Sequence, residues 1–257
     1  SGETTILFAG RNWNSLISST VRRAGVSFDV LIGASSFTLN RLEGTLGYDI
    51  SASIRADNKA ACLVKTPSST VTDNDTLYYT TYTPNLTFPF SPLKVVRTAV
   101  MDNSACSYTI ACSPIDTNHI TVVYNYINDH LLFTKAITKV QISTNAGNNW
   151  STPYEINPLG LINGDSSGCY WHEDVVYKPG TNEPFIVFSA DASGVELDTY
   201  RKGFKICIWN PTLNGGSPVV IADWHNIPIL MDNSTFYRIR NFHVNSRVLN
   251  HPSIGFK

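Results

Sequence analysis

The four residues Met-Asp-Asn-Ser occur twice in this chain, at Met101–Ser104 before "ACSYTIACSP" and at Met231–Ser234 before "TFYRIRNFHVN". Self-similarity at a fixed period constrains a fold more than any single residue, because each copy must set the same structural unit beside its neighbour. A looser pattern, acidic-x-Ser/Thr ahead of a strand-like run, adds Glu43 before "LGYDISASIR" and Asp165 before "GCYWHEDVVY". The starts at 43, 102, 165 and 232 lie 59, 63 and 67 residues apart, so a unit of about 63 residues tiles the 257-residue chain four times.

Each unit reads as several short strands. Runs rich in β-branched and aromatic residues alternate with Asn, Asp, Gly and Pro clusters, the pattern of strands and turns. The unit after Asp102 is the clearest: "SYTIACSP", "HITVVYNYI", "AITKVQIS", the turn "TNAGNN", then "WSTPYEI". Four strands per unit is the count of a propeller blade. The N-terminus supplies "TTILFAG", "ISSTVRRA" and "SFDVLIG", and the C-terminus "FYRIRNFHVN" and "PSIGF". Together they complete one blade, and a ring closed by strands from both ends leaves no open sheet edge. The expectation is an all-β chain, residues 1–257 forming one four-bladed β-propeller domain, with five blades as the alternative. "KICIWNPTLNGGSPVVIADW" and "FPFSPLKVV" supply further hairpin strands, and "FTLNRLEGTLG", the one plausible short helix, reads as loop.

Composition excludes several classes of partner. Nineteen Lys and Arg balance twenty acidic residues, so the charge of −1 gives no pull toward nucleic acid or an anionic membrane. No apolar run reaches the roughly 18 residues of a membrane-spanning helix, and no charged-then-apolar signal segment opens the chain. Cys62, Cys106, Cys112, Cys169 and Cys207 lie in apolar runs without metal-type spacing and read as reduced core thiols. No phosphate loop, nucleophile elbow or zinc-spaced cluster is found, and neither a metal nor a cofactor is expected.

The stretch Ser143-Thr144-Asn145-Ala146-Gly147-Asn148-Asn149-Trp150 resembles the Asp-box of sialidase-like propellers, S-x-D-x-G-x-x-W, with Asn145 in place of Asp. The resemblance implies a structural hairpin between the outer strands of a blade, with Gly147 in a left-handed turn and Trp150 packed beneath it. "TVRRAGVSFDVLI" echoes it, Gly25 and Phe28 standing three apart like Gly147 and Trp150. The arginine triad, tyrosine nucleophile and FRIP-like start of sialidases are not found in order.

Ligands of propellers sit where the innermost strands converge, so the four units are read crosswise. Six residues after the acidic positions come Asp49, Tyr108, Trp171 and Arg238; two further, on the same face of a regular strand, come Ser51, Ile110, Glu173 and Arg240. Asp49, Tyr108, Trp171, Glu173, Arg238 and Arg240 therefore form the candidate ligand site. Aromatic planes with carboxylates and guanidinium groups suit a sugar. The competing reading packs the aromatics between blades and leaves the charges in solvent. Glu43, Asp102, Asp165 and Asp232 read as turn caps rather than a cation site, and His172 as a packed histidine rather than a proton carrier.

"WHEDVVYKPGTNEPFIVFSADASG" is similar to a blade segment of furanosidase-type glycoside hydrolases. That resemblance implies catalysis by two carboxylates across the funnel, for which Asp49 and Glu173 are the pair on opposed blades. That family usually has five blades, against the four counted here. The expectation is a module that binds a glycan or glycosylated receptor, a lectin, adhesin or viral attachment protein, acting outside the cell or at a virion or cell surface and compatible with oligomers. A glycoside hydrolase is the alternative, and a protein-interaction scaffold a third reading.

Overall fold

The computed structural model of the chain describes residues 6–13, 22–29, 38–41, 50–65, 76–83, 90–97, 104–127, 136–156, 167–192, 205–223 and 254–256. Those residues are all-β. Strands β1 (Ile6–Trp13), β2 (Arg22–Asp29) and β3 (Thr38–Arg41) make a three-stranded sheet. Strands β4 (Ile50–Ile54), β5 (Ala60–Lys65), β6 (Leu77–Tyr82) and β7 (Lys94–Arg97) make a four-stranded one. The next two groups are β8 (Ser104–Cys112), β9 (Ile120–Ile127), β10 (Ala136–Ser143) and β11 (Tyr154–Ile156), then β12 (Ser167–Tyr177), β13 (Pro184–Ala192), β14 (Lys205–Trp209) and β15 (Val219–Asp223). Each is an antiparallel meander of four, and the single pair Ala136–Cys169 joins them into one eight-stranded sheet. The leading strand of each group lies against the next: β1 touches β4, β4 touches β8, and β8 touches β12. Inner strands meeting in succession while each meander runs outward is the arrangement of a β-propeller.

Why "ITVVYNYI" is so apolar follows from this stacking. A sheet covered on both faces needs no polar alternation, and every residue from Ile120 to Asn125 on β9 is buried. Ile120, Val122 and Tyr124 enter a core with Leu63, Leu77 and Tyr79 of the preceding sheet. Val123, one step out of phase, enters a second core with Val175, Ile186, Phe188 and Trp209 of the following sheet. Polar groups buried with these cores have partners, both between neighbouring groups and, for Tyr124, within its own. Tyr177 Oη and Thr121 Oγ1 lie 2.7 Å apart, Tyr124 Oη donates to Gln141 Oε1 at 3.0 Å, and Ser113 Oγ donates to Asn182 Oδ1 at 2.6 Å. Burial without such partners would cost about 1–3 kcal/mol per group.

The Ser143–Trp150 turn joins β10 to β11, the outer strands of their group. Ser143 Oγ accepts from the Gly147 amide at 2.9 Å, and Asn145 Oδ1 from the Asn149 amide at 2.8 Å. Gly147 has φ 76°. Trp150, half-buried, packs on the first core with its ring edge-on to Tyr79 at 5.7 Å. The geometry expected of the turn is therefore present. Cys62, Cys112 and Cys207 are buried free thiols; the side chains of Cys106 and Cys169 lie outside the described residues.

Three local expectations are corrected. Gly25 makes no turn: β2 runs straight through it, with Gly25 opposite Gly10 on β1 and Arg41 on β3. Both partner strands saturate its ladder, so the Gly25–Phe28 echo is a coincidence of spacing. For the same reason the described parts of "ISSTVRRA" and "SFDVLIG" belong to one strand, β2. Part of "FTLNRLEGTLG" is strand β3, recruited as the third member of that sheet. The acidic positions 43, 102, 165 and 232 and the strand expected after 232 lie outside the described residues.

Candidate functional site

The inner strand β12 carries the irregularity that shapes the site. Cys169 pairs with Ala190 and Glu173 with Phe188, so Tyr170, Trp171 and His172 share a stretch opposite Ser189 alone. Such a bulge bends its strand and re-aims side chains, and bulges gather near binding sites. It also interrupts the two-residue alternation that set Trp171 and Glu173 on one face. Strand β8 shows a smaller shift between Ala105 and Ser107. Counting along a strand therefore loses register at the places where the crosswise reading needed it.

Glu173 is the first residue back in the ladder. It is half-buried, and its Oε2 accepts a 2.6 Å hydrogen bond from Asn125 Nδ2 on β9. Asn125 Oδ1 in turn accepts from Thr138 Oγ1 on β10. Asn125 and Thr138 are directly opposite each other in the β9–β10 ladder, and both are fully buried. The carboxylate thus stands at the end of a line of side chains crossing three strands. Asp174, the next residue, faces the other way: its Oδ1 accepts from the Val175 amide at 2.9 Å and its Oδ2 from the Ile254 amide at 3.1 Å. Three residues on, burial pushes the Tyr177 phenol well above its ordinary range, opposed by the hydrogen bond with Thr121.

Of the six candidate ligand residues, Glu173 and Tyr108 have described side chains. Tyr108 is half-buried and packs on the core between the β4–β7 and β8–β11 sheets. Glu173 faces the next gap, reaching β9 from β12. The two therefore occupy different inter-sheet gaps. Trp171 is placed on β12 within the bulge, while its side chain and those of Asp49, Arg238 and Arg240 lie outside the described residues. Asn125 and Thr138 were not foreseen. Their signal was an asparagine set in the β-branched and aromatic run "ITVVYNYI", where an apolar residue would have satisfied the strand. Among the described residues no group of three or more His, Cys, Asp or Glu side chains could hold a metal ion, and no helix is long and apolar enough to cross a membrane.

No protein-family model matches the chain, and no curated protein matches it significantly in sequence. Solved structures do match its fold. The α-L-arabinanase of Penicillium chrysogenum, in complex with arabinobiose, superposes with a TM-score of 0.58 at 9% identity, over 85% of this chain and 63% of that one. The α-L-arabinofuranosidase of Fusarium graminearum, also with arabinobiose, reaches a TM-score of 0.48 at 9% identity, over 80% and 58% of the two chains. This chain accordingly spans less than two thirds of the length of either. The arabinanase likeness supports a β-propeller fold.

Proposed function

We propose that this chain is a carbohydrate-binding β-propeller with its ligand at the inner strands and Glu173 as the fixed hydrogen-bonding group. The observation that carries the reading is the Glu173 carboxylate, held by buried Asn125 directly after a bulge on an inner strand. Glu173 is half-buried as a residue while its Oε1 is itself buried, so a sugar hydroxyl that reaches it would meet an acceptor held in one position. Trp171, in the bulge, supplies the stacking plane, and Asp49, Arg238 and Arg240 complete the set, whereas Tyr108, packed on the core of the neighbouring gap, supports the wall rather than the ligand. On this reading residues 1–257 form a single four-bladed domain acting outside the cell or at a virion or cell surface, on a glycan or a glycosylated receptor.

Glycoside hydrolysis is the second reading, favoured by the same immobilised carboxylate and by the arabinobiose bound to the arabinanase that shares the fold. Here Glu173 and Asp49 are the two carboxylates, one protonating the leaving oxygen while the other acts as base or nucleophile. A glycan array run beside a glycosidase panel that includes arabinobiose tests both. For a binding module, Trp171→Ala abolishes array binding, whereas Glu173→Gln costs about 1–2 kcal/mol, the scale of one hydrogen bond. For a hydrolase, Glu173→Gln still binds but turns over about 10²–10⁴-fold more slowly. Binding and turnover of every glycan untouched by both substitutions would remove the site.

A further inference from the structure

Asn125 sits where the strand has no use for an amide. Its neighbours from Ile120 to Tyr124 are buried, and Val123, two residues earlier on the same face, shows that an apolar side chain fills this gap. A buried primary amide is tolerated only when its donors and acceptor are engaged. Asn125 meets that condition by joining two four-stranded groups, accepting from Thr138 within its own and donating to Glu173 at 2.6 Å in the next. The direction of the line is set at the Glu173 end, because a carboxylate only accepts whereas a threonine hydroxyl can donate or accept. The NH2 group therefore faces β12, and Oδ1 is left for the Thr138 hydroxyl, which donates to it. With the amide reversed, Oδ1 would face Glu173 Oε2, two acceptors at hydrogen-bonding distance. Glu173 also needs such a partner, since the ladder on its N-terminal side is interrupted from Cys169 onward.

We infer that Asn125 is the positioning residue of this site, braced at Oδ1 by Thr138 so that its amide holds the Glu173 carboxylate where a ligand hydroxyl meets it. The assignment rests on the carbohydrate reading and deepens it: Glu173 serves as an acceptor, and its aim depends on a fully buried hydroxyl two hydrogen bonds away.

The test separates the relay from the ligand. In 15N-labelled protein, the Asn125 side-chain NH2 signal should move on Glu173→Gln. On Thr138→Val its exchange with solvent should become about tenfold faster, the loss of one orienting hydrogen bond. Thr138→Ser, which restores the hydroxyl, should restore the wild-type signal. Arabinobiose affinity, measured by titration calorimetry on the same folded proteins, should fall about tenfold in Thr138→Val and recover in Thr138→Ser. An Asn125 signal indifferent to Glu173→Gln overturns the contact. Wild-type affinity in Thr138→Val with the amide signal lost overturns the positioning role and leaves Asn125 as packing. If wild-type protein does not bind arabinobiose, that ligand is wrong, and the amide signals still decide whether Thr138 and Asn125 orient Glu173. Thr138→Val removes a hydroxyl without emptying the gap, so the test stands even if Asn125→Ala does not fold.

Discussion

Gly147 answers two demands at once. Its φ of 76° is one that side chains rarely adopt, and a Cβ built there would lie 2.3 Å from Cε1 of Tyr79 on the neighbouring sheet. The first demand was readable in the turn's sequence; the second was not, because Tyr79 is 68 positions away. Gly147→Ala should therefore destabilise the fold by about 2–4 kcal/mol, a left-handed penalty plus overpacking. Chemical denaturation measures it, and a loss under 1 kcal/mol would mean that Tyr79 swings aside freely. The buried thiols make a second prediction. Burial pushes Cys62 and Cys112 from the ordinary 9.0 up to about 12, and Tyr79 from 10.0 to about 12 against the opposing pull of Arg55. The folded chain keeps these protons where the unfolded chain releases them. Their contribution is thus complete below about pH 9 and is lost as pH rises toward 12. Unfolding midpoints at pH 8, 9.5 and 10.5 should fall in that order, less steeply in Cys62→Ala, and native protein at pH 8 should resist alkylation.

Strands were the most legible part of this sequence, and the reason is local. "SYTIACSP", "HITVVYNYI", "AITKVQIS" and "WSTPYEI" became β8 to β11 in that order, since β-branched runs and turn residues act within a few positions of themselves. What failed needed knowledge of partners. Gly25 mimicked a turn, yet two strands pair with it and hold it extended. The hairpin Ser143–Trp150 differs because its own side chains close it, through Ser143 and Asn145. Trp150 links that self-sufficient turn to the neighbouring sheet through Tyr79. Because Trp150 is half-buried, Trp150→Ala should cost about 2–4 kcal/mol, toward the lower end of the range for buried aromatics. Glycan binding by the remaining folded protein should be unchanged. A loss of binding with an unaltered unfolding midpoint would contradict a structural role for this hairpin.

The site was legible only as a list of residue types, for a topological reason. Glu173 stood out as an acid on an inner strand, but its partner Asn125 is 48 positions away and in another four-stranded group, and the bulge after Cys169 cannot be counted from sequence. The same strand also ties down the distant end of the chain. Asp174 Oδ2 accepts from the Ile254 amide at 3.1 Å, and Phe256 meets Phe185 edge-on at 5.4 Å. These contacts lie on the side of β12 away from Glu173 and its core, where the leading strand of a further unit would stack. They are modest individually: a hydrogen bond to a carboxylate is worth about 1.5–3 kcal/mol and an aromatic pair about 0.5–1.5. Phe256 is moreover 42% exposed, and ordering the segment opposes both gains. Deleting residues 254–257 should then lower stability by about 1–3 kcal/mol, and the loss should be uneven. Amides of β12 and β13 should exchange faster while those of β5 and β6, in a separate sheet, keep their protection. Asp174→Ala should reproduce most of the effect and Phe256→Ala a smaller part. Uniform loss across all the sheets would instead mean that the segment closes the ring as a unit, and unchanged exchange at β12 would mean that it contributes nothing to holding the fourth group in place.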